Sequence, residues 1–155
     1  MPGQKIAILC GGNACQNYCG RTSSDDSNIT TNDTQQEVID KYGPINCWDV
    51  SQVTDMSWAF NSCSDFDDDI SAWDTSEVTD MDRMFWKATN FDQDISGWDV
   101  SQVTNMYGMF RQTDAFNQDL SKWDTSSVST MKYMFYYADV FNGDISKWNT
   151  SSVTD

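Results

Sequence analysis

The chain has 155 residues, 39% of them hydrophobic and 14% aromatic, and a formal net charge of −15. That is one domain's worth of chain with enough apolar material for a core, which argues against disorder in spite of the charge. The acidity, 22 Asp against 2 Glu, makes nucleic acid a poor partner because an acidic surface repels phosphates, and no apolar run approaches the ~18 residues of a membrane span.

Residues 1–44 form a non-repeating N-terminal cap. Met1 to Cys10 offers only the short run IAIL, below the ~7–15 apolar residues of a signal-peptide core, so either there is no export signal or the chain is a mature or excised fragment. Thr34-Gln-Gln-Glu37 is a capping box that opens a short helix through Tyr42, with Gly43 as its stop. The five cysteines cluster in the cap and the first repeat. Cys10, Cys15, Cys19 and Cys47 are the disulfide candidates, enough for one or two bridges that staple the cap. Cys63 falls in a column otherwise filled by small residues and reads as a buried core thiol. A zinc site on Cys10, Cys15 and Cys19 is the weaker alternative, since the spacing is irregular and the chain has no His. Sequons at Asn28, Asn32 and Asn149 carry weight only in a secreted chain.

From Ile45 to Asp155 a 25-residue unit repeats, with coils starting near Trp48, Trp73, Trp98, Trp123 and Trp148. The units open WDVSQVTDM, WDTSEVTDM, WDVSQVTNM and WDTSSVSTM, and continue in register without an insertion. Within a unit, Ile70 to Val78 reads as extended chain bent once at the serine. Met81, Met84, Phe85, Ala88 and Phe91 fall at the spacing of one helix face, with Thr79 or Asp80 as N-cap. One such unit cannot bury its own apolar face, so neighbouring units must supply the core. The expected fold is α/β: a right-handed, leucine-rich-repeat-like solenoid of about four coils, each a short parallel strand plus a short helix.

The unit W-[DN]-[VT]-S-x-V-[TS]-x-M-x-x-M-F-x-x-[AT]-x-x-F-[DN]-x-D-[IL]-S-x closely resembles the repeats of the BspA-like class of leucine-rich-repeat surface proteins. The resemblance covers about two thirds of the chain and rests on a long motif that recurs four times. It implies an exported or cell-surface protein used in adhesion, binding or assembly, and not an enzyme. The Cys-containing cap is a departure from the family pattern.

Four features bear on function. The five ladder tryptophans read as core, against the alternative of an exposed carbohydrate-binding strip. The column Asp69, Asp94, Asp119 and Asp144, and a second one through Asp49, Asp74, Asp99 and Asp124, read as turn-closing residues, with bound Ca²⁺ as the alternative for the first. The positions where the repeat varies place Trp58, Trp86, Tyr107, Arg111, Tyr133, Tyr136 and Tyr137 on the outward face. Tyr, Trp and Arg are enriched at binding hot spots, so this is the candidate partner-binding face. The sequence stops inside a coil at Asp155, so either the chain is cut there or another copy covers the edge, which would stack copies head to tail. Catalysis is not expected, because there is no His and units of identical length leave no loops to wall a cleft. Ice binding is a weak alternative, since the Ser and Thr columns do not form the T-x-T pair of a flat strand face.

The resulting expectation is a non-catalytic extracellular or cell-surface module that binds a protein or glycan, with no required cofactor. The alternative is a structural subunit that self-assembles head-to-tail into a filament or surface layer.

Overall fold

The computed structural model describes residues 4–5 and 45–155. The expected cap helix and Cys10, Cys15 and Cys19 lie outside those residues. Strand β1, Gln4–Lys5, pairs in parallel with β2, Val53–Asp55, with Gln4 opposite Val53 and Lys5 opposite Asp55. Asp55 also bridges Asp80, Asp80 bridges Asn105, and Asn105 bridges Thr130, all in parallel. One parallel contact per unit therefore recurs at the same column, and β1 sits on the outer side of the first unit.

The unit itself is a chain of turns. Among the described residues the only helix is a 3-10 turn, Ile45–Cys47. The extended segment Ile70 to Val78 bends twice, not once: Trp73 N–H closes on Ile70 O at 3.2 Å and Val78 N–H on Thr75 O at 3.0 Å. Asx turns explain both bends, because Asp69 Oδ1 accepts the Ser71 amide and Asp74 Oδ1 the Ser76 amide.

The helix expected over Met81 to Phe91 is absent. Met84, Trp86 and Ala88 close turns on Met81, Arg83 and Phe85 at 3.2, 3.2 and 2.9 Å. The amides between them point across to the next unit: Arg83 to Tyr107 O, Phe85 to Met109 O and Lys87 to Arg111 O, at 2.8, 2.9 and 2.9 Å. An α-helix would spend every one of these N–H groups on the carbonyl four residues back. The backbone accommodates the turns at two positive-φ positions per unit, Arg83 at 53° and Lys87 at 64°, as the third residue of a type II turn requires. The same positions recur as Trp58, Gly108 and Tyr133, and as Ser62, Gln112 and Tyr137. Most are not glycine, and a non-glycine residue there costs about 1–2 kcal/mol. The cross-unit hydrogen bonds hold them in place.

The buried set is the one the spacing gives. Met81, Met84, Phe85, Ala88 and Phe91 are all fully buried. Equivalent rings stack from unit to unit: Phe60 on Phe85 at 5.3 Å, Phe85 on Phe110 and Phe110 on Phe135 at 5.6 Å. A second file runs through Phe66, Phe91, Phe116 and Phe141 at 5.6–5.9 Å. Each fully buried Phe removes enough apolar surface from water to contribute about 1.5–3 kcal/mol.

Three of the five ladder tryptophans, Trp73, Trp98 and Trp123, are buried in the core, while Trp48 and Trp148 are half-buried against it. Trp73 lies parallel to Trp98, and Trp123 to Trp148, at 6.2 Å. Each indole also reaches one unit back: Trp73, Trp98, Trp123 and Trp148 Nε1 donate to the carbonyls of Ile45, Ile70, Ile95 and Leu120 at 3.0, 3.1, 3.1 and 2.9 Å. A buried indole N–H needs such a partner, so this column both fills the core and ties adjacent units together.

Candidate functional site

The turn-built segment carries its outward side chains on one face, and there the repeat varies. All seven residues expected at a partner face meet on it. Trp58 and Trp86, one unit apart, approach to 5.7 Å between ring centroids. Tyr107 meets Tyr133 edge-on at 5.7 Å, Tyr133 meets Tyr136 at 5.5 Å, and Tyr136 meets Tyr137 at 4.3 Å. Trp58 is 44% exposed and Tyr137 59%, so this surface is open.

Two guanidinium groups bind the rings into one assembly. Arg83 Cζ lies 4.7 Å from the Trp58 ring, 5.6 Å from Trp86 and 4.3 Å from Tyr107. Arg111 Cζ lies 4.9 Å from Trp86, 5.6 Å from Tyr133 and 5.2 Å from Tyr136. Such contacts are worth about 0.5–1 kcal/mol each when exposed. Ring orientation is fixed by Trp58 Nε1 donating to Asp82 Oδ2 at 3.1 Å and Trp86 Nε1 to Gln112 Oε1 at 3.2 Å. Arg83 in turn grips both Asp82 oxygens, at 2.9 and 2.7 Å, while burial pushes the Asp82 carboxyl up against that pull. Sequence reasoning missed Arg83, Asp82 and Gln112. The signal for them was the exchange of aromatic for cation down the columns Trp58/Arg83 and Trp86/Arg111/Tyr136.

The Asp columns close turns. Asp69, Asp94, Asp119 and Asp144 Oδ1 accept the amides of Ser71, Ser96, Ser121 and Ser146 at 2.8–2.9 Å. Asp49, Asp74, Asp99 and Asp124 do the same for Ser51, Ser76, Ser101 and Ser126. Asp67 and Asp92 instead reach across, accepting the amides of Asp92 and Asn117 in the next unit. The serine donors hold the carboxyls of Asp49, Asp69, Asp74, Asp94, Asp119, Asp124 and Asp144 below their usual range. The serine hydroxyl leads and its amide follows for Asp49, Asp69, Asp74 and Asp124; the amide leads for Asp94, Asp119 and Asp144. Among the described residues no group of three Cys, Asp or Glu side chains converges on a metal-sized site.

A pH dependence follows from those shifts. A carboxyl with a lowered folded pKa stabilises the fold fully above its unfolded value of about 3.9 and loses that contribution as pH falls through the folded value. Repulsion between stacked columns acts the other way but ranks below the serine donors for Asp49, Asp69 and Asp119. The urea midpoint should therefore hold between neutral pH and about pH 5 and drop below about pH 4.

The family model described as "Mycoplasma protein of unknown function, DUF285" matches this chain over residues 27–127 and again over 58–155. The chain belongs to the DUF285 family. No curated protein and no solved structure matches it. The two DUF285 matches overlap over several units, as expected when the model itself spans tandem copies of one motif. Among the described residues of this DUF285 chain, no helix is long and apolar enough to cross a membrane.

The structure revises the cysteine reading. Cys63 is buried but is not a core thiol: it is disulfide-bonded. Cys47, expected among the disulfide candidates, instead carries an exposed thiol that donates to Asn46 Oδ1 at 3.5 Å.

Proposed function

We propose that this chain is a non-catalytic interaction module of the BspA-like kind, exported to a cell surface or beyond, that binds a protein or glycan through its aromatic and guanidinium face. Its scaffold is then a right-handed, leucine-rich-repeat-like solenoid in which turns replace the helices. The observation that carries this reading is the convergence of Trp58, Trp86, Tyr107, Arg111, Tyr133, Tyr136 and Tyr137 on one open surface. The scaffold does not need aromatics there, because Asn61 stands in the Trp86 column and Ser62 in the Tyr137 column. A non-catalytic role is supported by the absence of His and by carboxyls already committed to turn amides, where catalytic groups would be shifted toward neutral pH. No cofactor is required; Ca²⁺ is the ion whose preference for oxygen suits the Asp69, Asp94, Asp119 and Asp144 column.

The test is adsorption of the purified chain to immobilised polysaccharides and extracellular-matrix proteins, beside the double variant Trp58→Ala/Trp86→Ala. Saturable binding by the wild type should fall about tenfold or more in the variant, the scale of a lost hot spot, while the variant still unfolds in a cooperative transition. Equal binding by both proteins would refute the assignment.

A second reading is head-to-tail assembly of copies through the apolar face of the last described coil. Met131, Phe135, Phe141 and Trp148 are only half-buried, Ile145 is exposed, and a hollow of about 490 Å³ opens beside them. Their counterparts one unit earlier, Met106, Phe110, Phe116, Trp123 and Leu120, are buried. If a second copy supplies that cover, sedimentation should show mass growing with concentration, and Ile145→Asp should abolish the growth. A concentration-independent monomer would eliminate this reading.

A further inference from the structure

The chain as a whole is acidic and repels polyanions, but the aromatic face is a local exception among the described residues, where cations stand close together and attraction acts at short range. Four of the chain's nine cations, Arg83, Lys87, Arg111 and Lys132, lie on it. Arg83 is neutralised by Asp82. Arg111 is not: among the described residues it has no carboxylate partner, and its Nε is buried without a hydrogen-bond acceptor. Rings of Trp86, Tyr133 and Tyr136 surround its guanidinium instead. In a chain with 22 Asp, a carboxylate beside Arg111 is a small evolutionary step, yet none is there. A half-desolvated cation without a counter-charge is costly, and a carboxylate paired with its two Nη groups would offset that cost while the Nε stays covered by the rings.

We infer that this face takes an anionic polysaccharide, whose carboxylate groups meet Arg111 and Lys87 while its sugar rings lie against Trp58, Trp86 and the tyrosines. This rests on the interaction role proposed above and names the partner class. The surface favours a sugar chain over a peptide in two ways. Aromatic faces run across four successive units, matching a ligand that is itself a linear repeat of flat, C–H-lined rings. The backbone along this face is already hydrogen-bonded from unit to unit, so it offers no strand edge to a peptide.

The experiment titrates the full chain, by calorimetry, with polygalacturonate, dextran sulfate, neutral dextran and poly-glutamate. Polygalacturonate should bind, weaken as salt is raised, and bind more tightly than any of the other three. Arg111→Gln should weaken it about tenfold or more, the scale of a lost charge-assisted hydrogen bond. Because Arg111 is partly buried, the exposed Lys87→Gln serves as a variant that leaves the fold intact and should weaken binding severalfold. Unchanged affinity in both variants overturns the inference, as does the absence of polygalacturonate binding. Dextran sulfate binding more tightly assigns the site to sulfate, and poly-glutamate binding as tightly assigns it to acidic proteins; either outcome overturns it too. Neutral dextran bound as well as polygalacturonate, through Trp58 and Trp86 and regardless of Arg111, would leave the interaction role standing and remove only the anionic partner. Binding weakened about tenfold or more in Trp58→Ala/Trp86→Ala is required by both.

Discussion

Trp98→Ala should lower the free energy of unfolding by about 3–5 kcal/mol, the range for deleting a buried aromatic side chain. Trp98 is 3% exposed, stacks on Trp73 at 6.2 Å, and sits 6.2 Å from Phe85. Its Nε1 supplies Ile70 O with a donor at 3.1 Å. The substitution therefore opens a cavity between two units and strips a buried carbonyl of that partner. Trp98→Phe separates the two contributions: it keeps a ring in the ladder and should cost about 1–3 kcal/mol, chiefly the lost hydrogen bond and the smaller volume. Trp148→Ala provides the control, since Trp148 has the same bonding pattern but is half-buried at the last coil; its effect should be clearly smaller. Urea titrations of the three variants, read at constant slope, test this order. Equal losses at Trp98 and Trp148 would mean that burial between units is not what the column supplies.

The second large effect concerns register. Deleting residues 86–110 removes one full period and joins Phe85 to Arg111, which occupies the column of Trp86. Every turn amide then faces an equivalent carbonyl, so the shortened chain should fold cooperatively with a proportionally smaller denaturant slope, as stacked repeats do. Deleting residues 86–109 differs by a single residue. It puts Phe110 in the outward column and shifts each later amide off its acceptor. The cross-unit bonds fail together, and Phe116 and Trp123 lose their places in the ladders. This variant should show no cooperative transition for the units after the junction, seen as rapid proteolysis beyond residue 110. Cooperative folding of both deletions would show that the 25-residue register is not obligatory.

Much of this was legible in the sequence, for a reason particular to repeats. The period fixes which residues share a column, and a column of Phe or Trp has nowhere to go except the interior. Phe85, Phe91 and Trp98 are therefore found where the spacing puts them. The element type was not legible, because Met81, Met84, Phe85, Ala88 and Phe91 share one face in a helix and in a run of turns alike. What distinguishes the two is the backbone at Arg83 and Lys87, where φ is positive. Gly108, standing in the Arg83 column, is the residue whose identity carries that information. At the candidate face, the variable aromatics pointed to the surface. The cages around Arg83 and Arg111 depend on which side chains meet across the gap between units, and that gap is set by hydrogen bonds a single sequence does not display. The Asp columns were readable as turn residues because Asp followed two residues later by Ser is itself an Asx-turn pattern.

The central claim is that the segment from Met81 to Phe91 spends its amides on the neighbouring unit and on short turns, not on a helix. Scalar couplings measured through hydrogen bonds by NMR report donor and acceptor directly. The account predicts couplings from the Arg83, Phe85 and Lys87 amides to the carbonyls of Tyr107, Met109 and Arg111. Couplings from Phe85 and Lys87 to the carbonyls four residues back, Met81 and Arg83, would mean a helix and would contradict it.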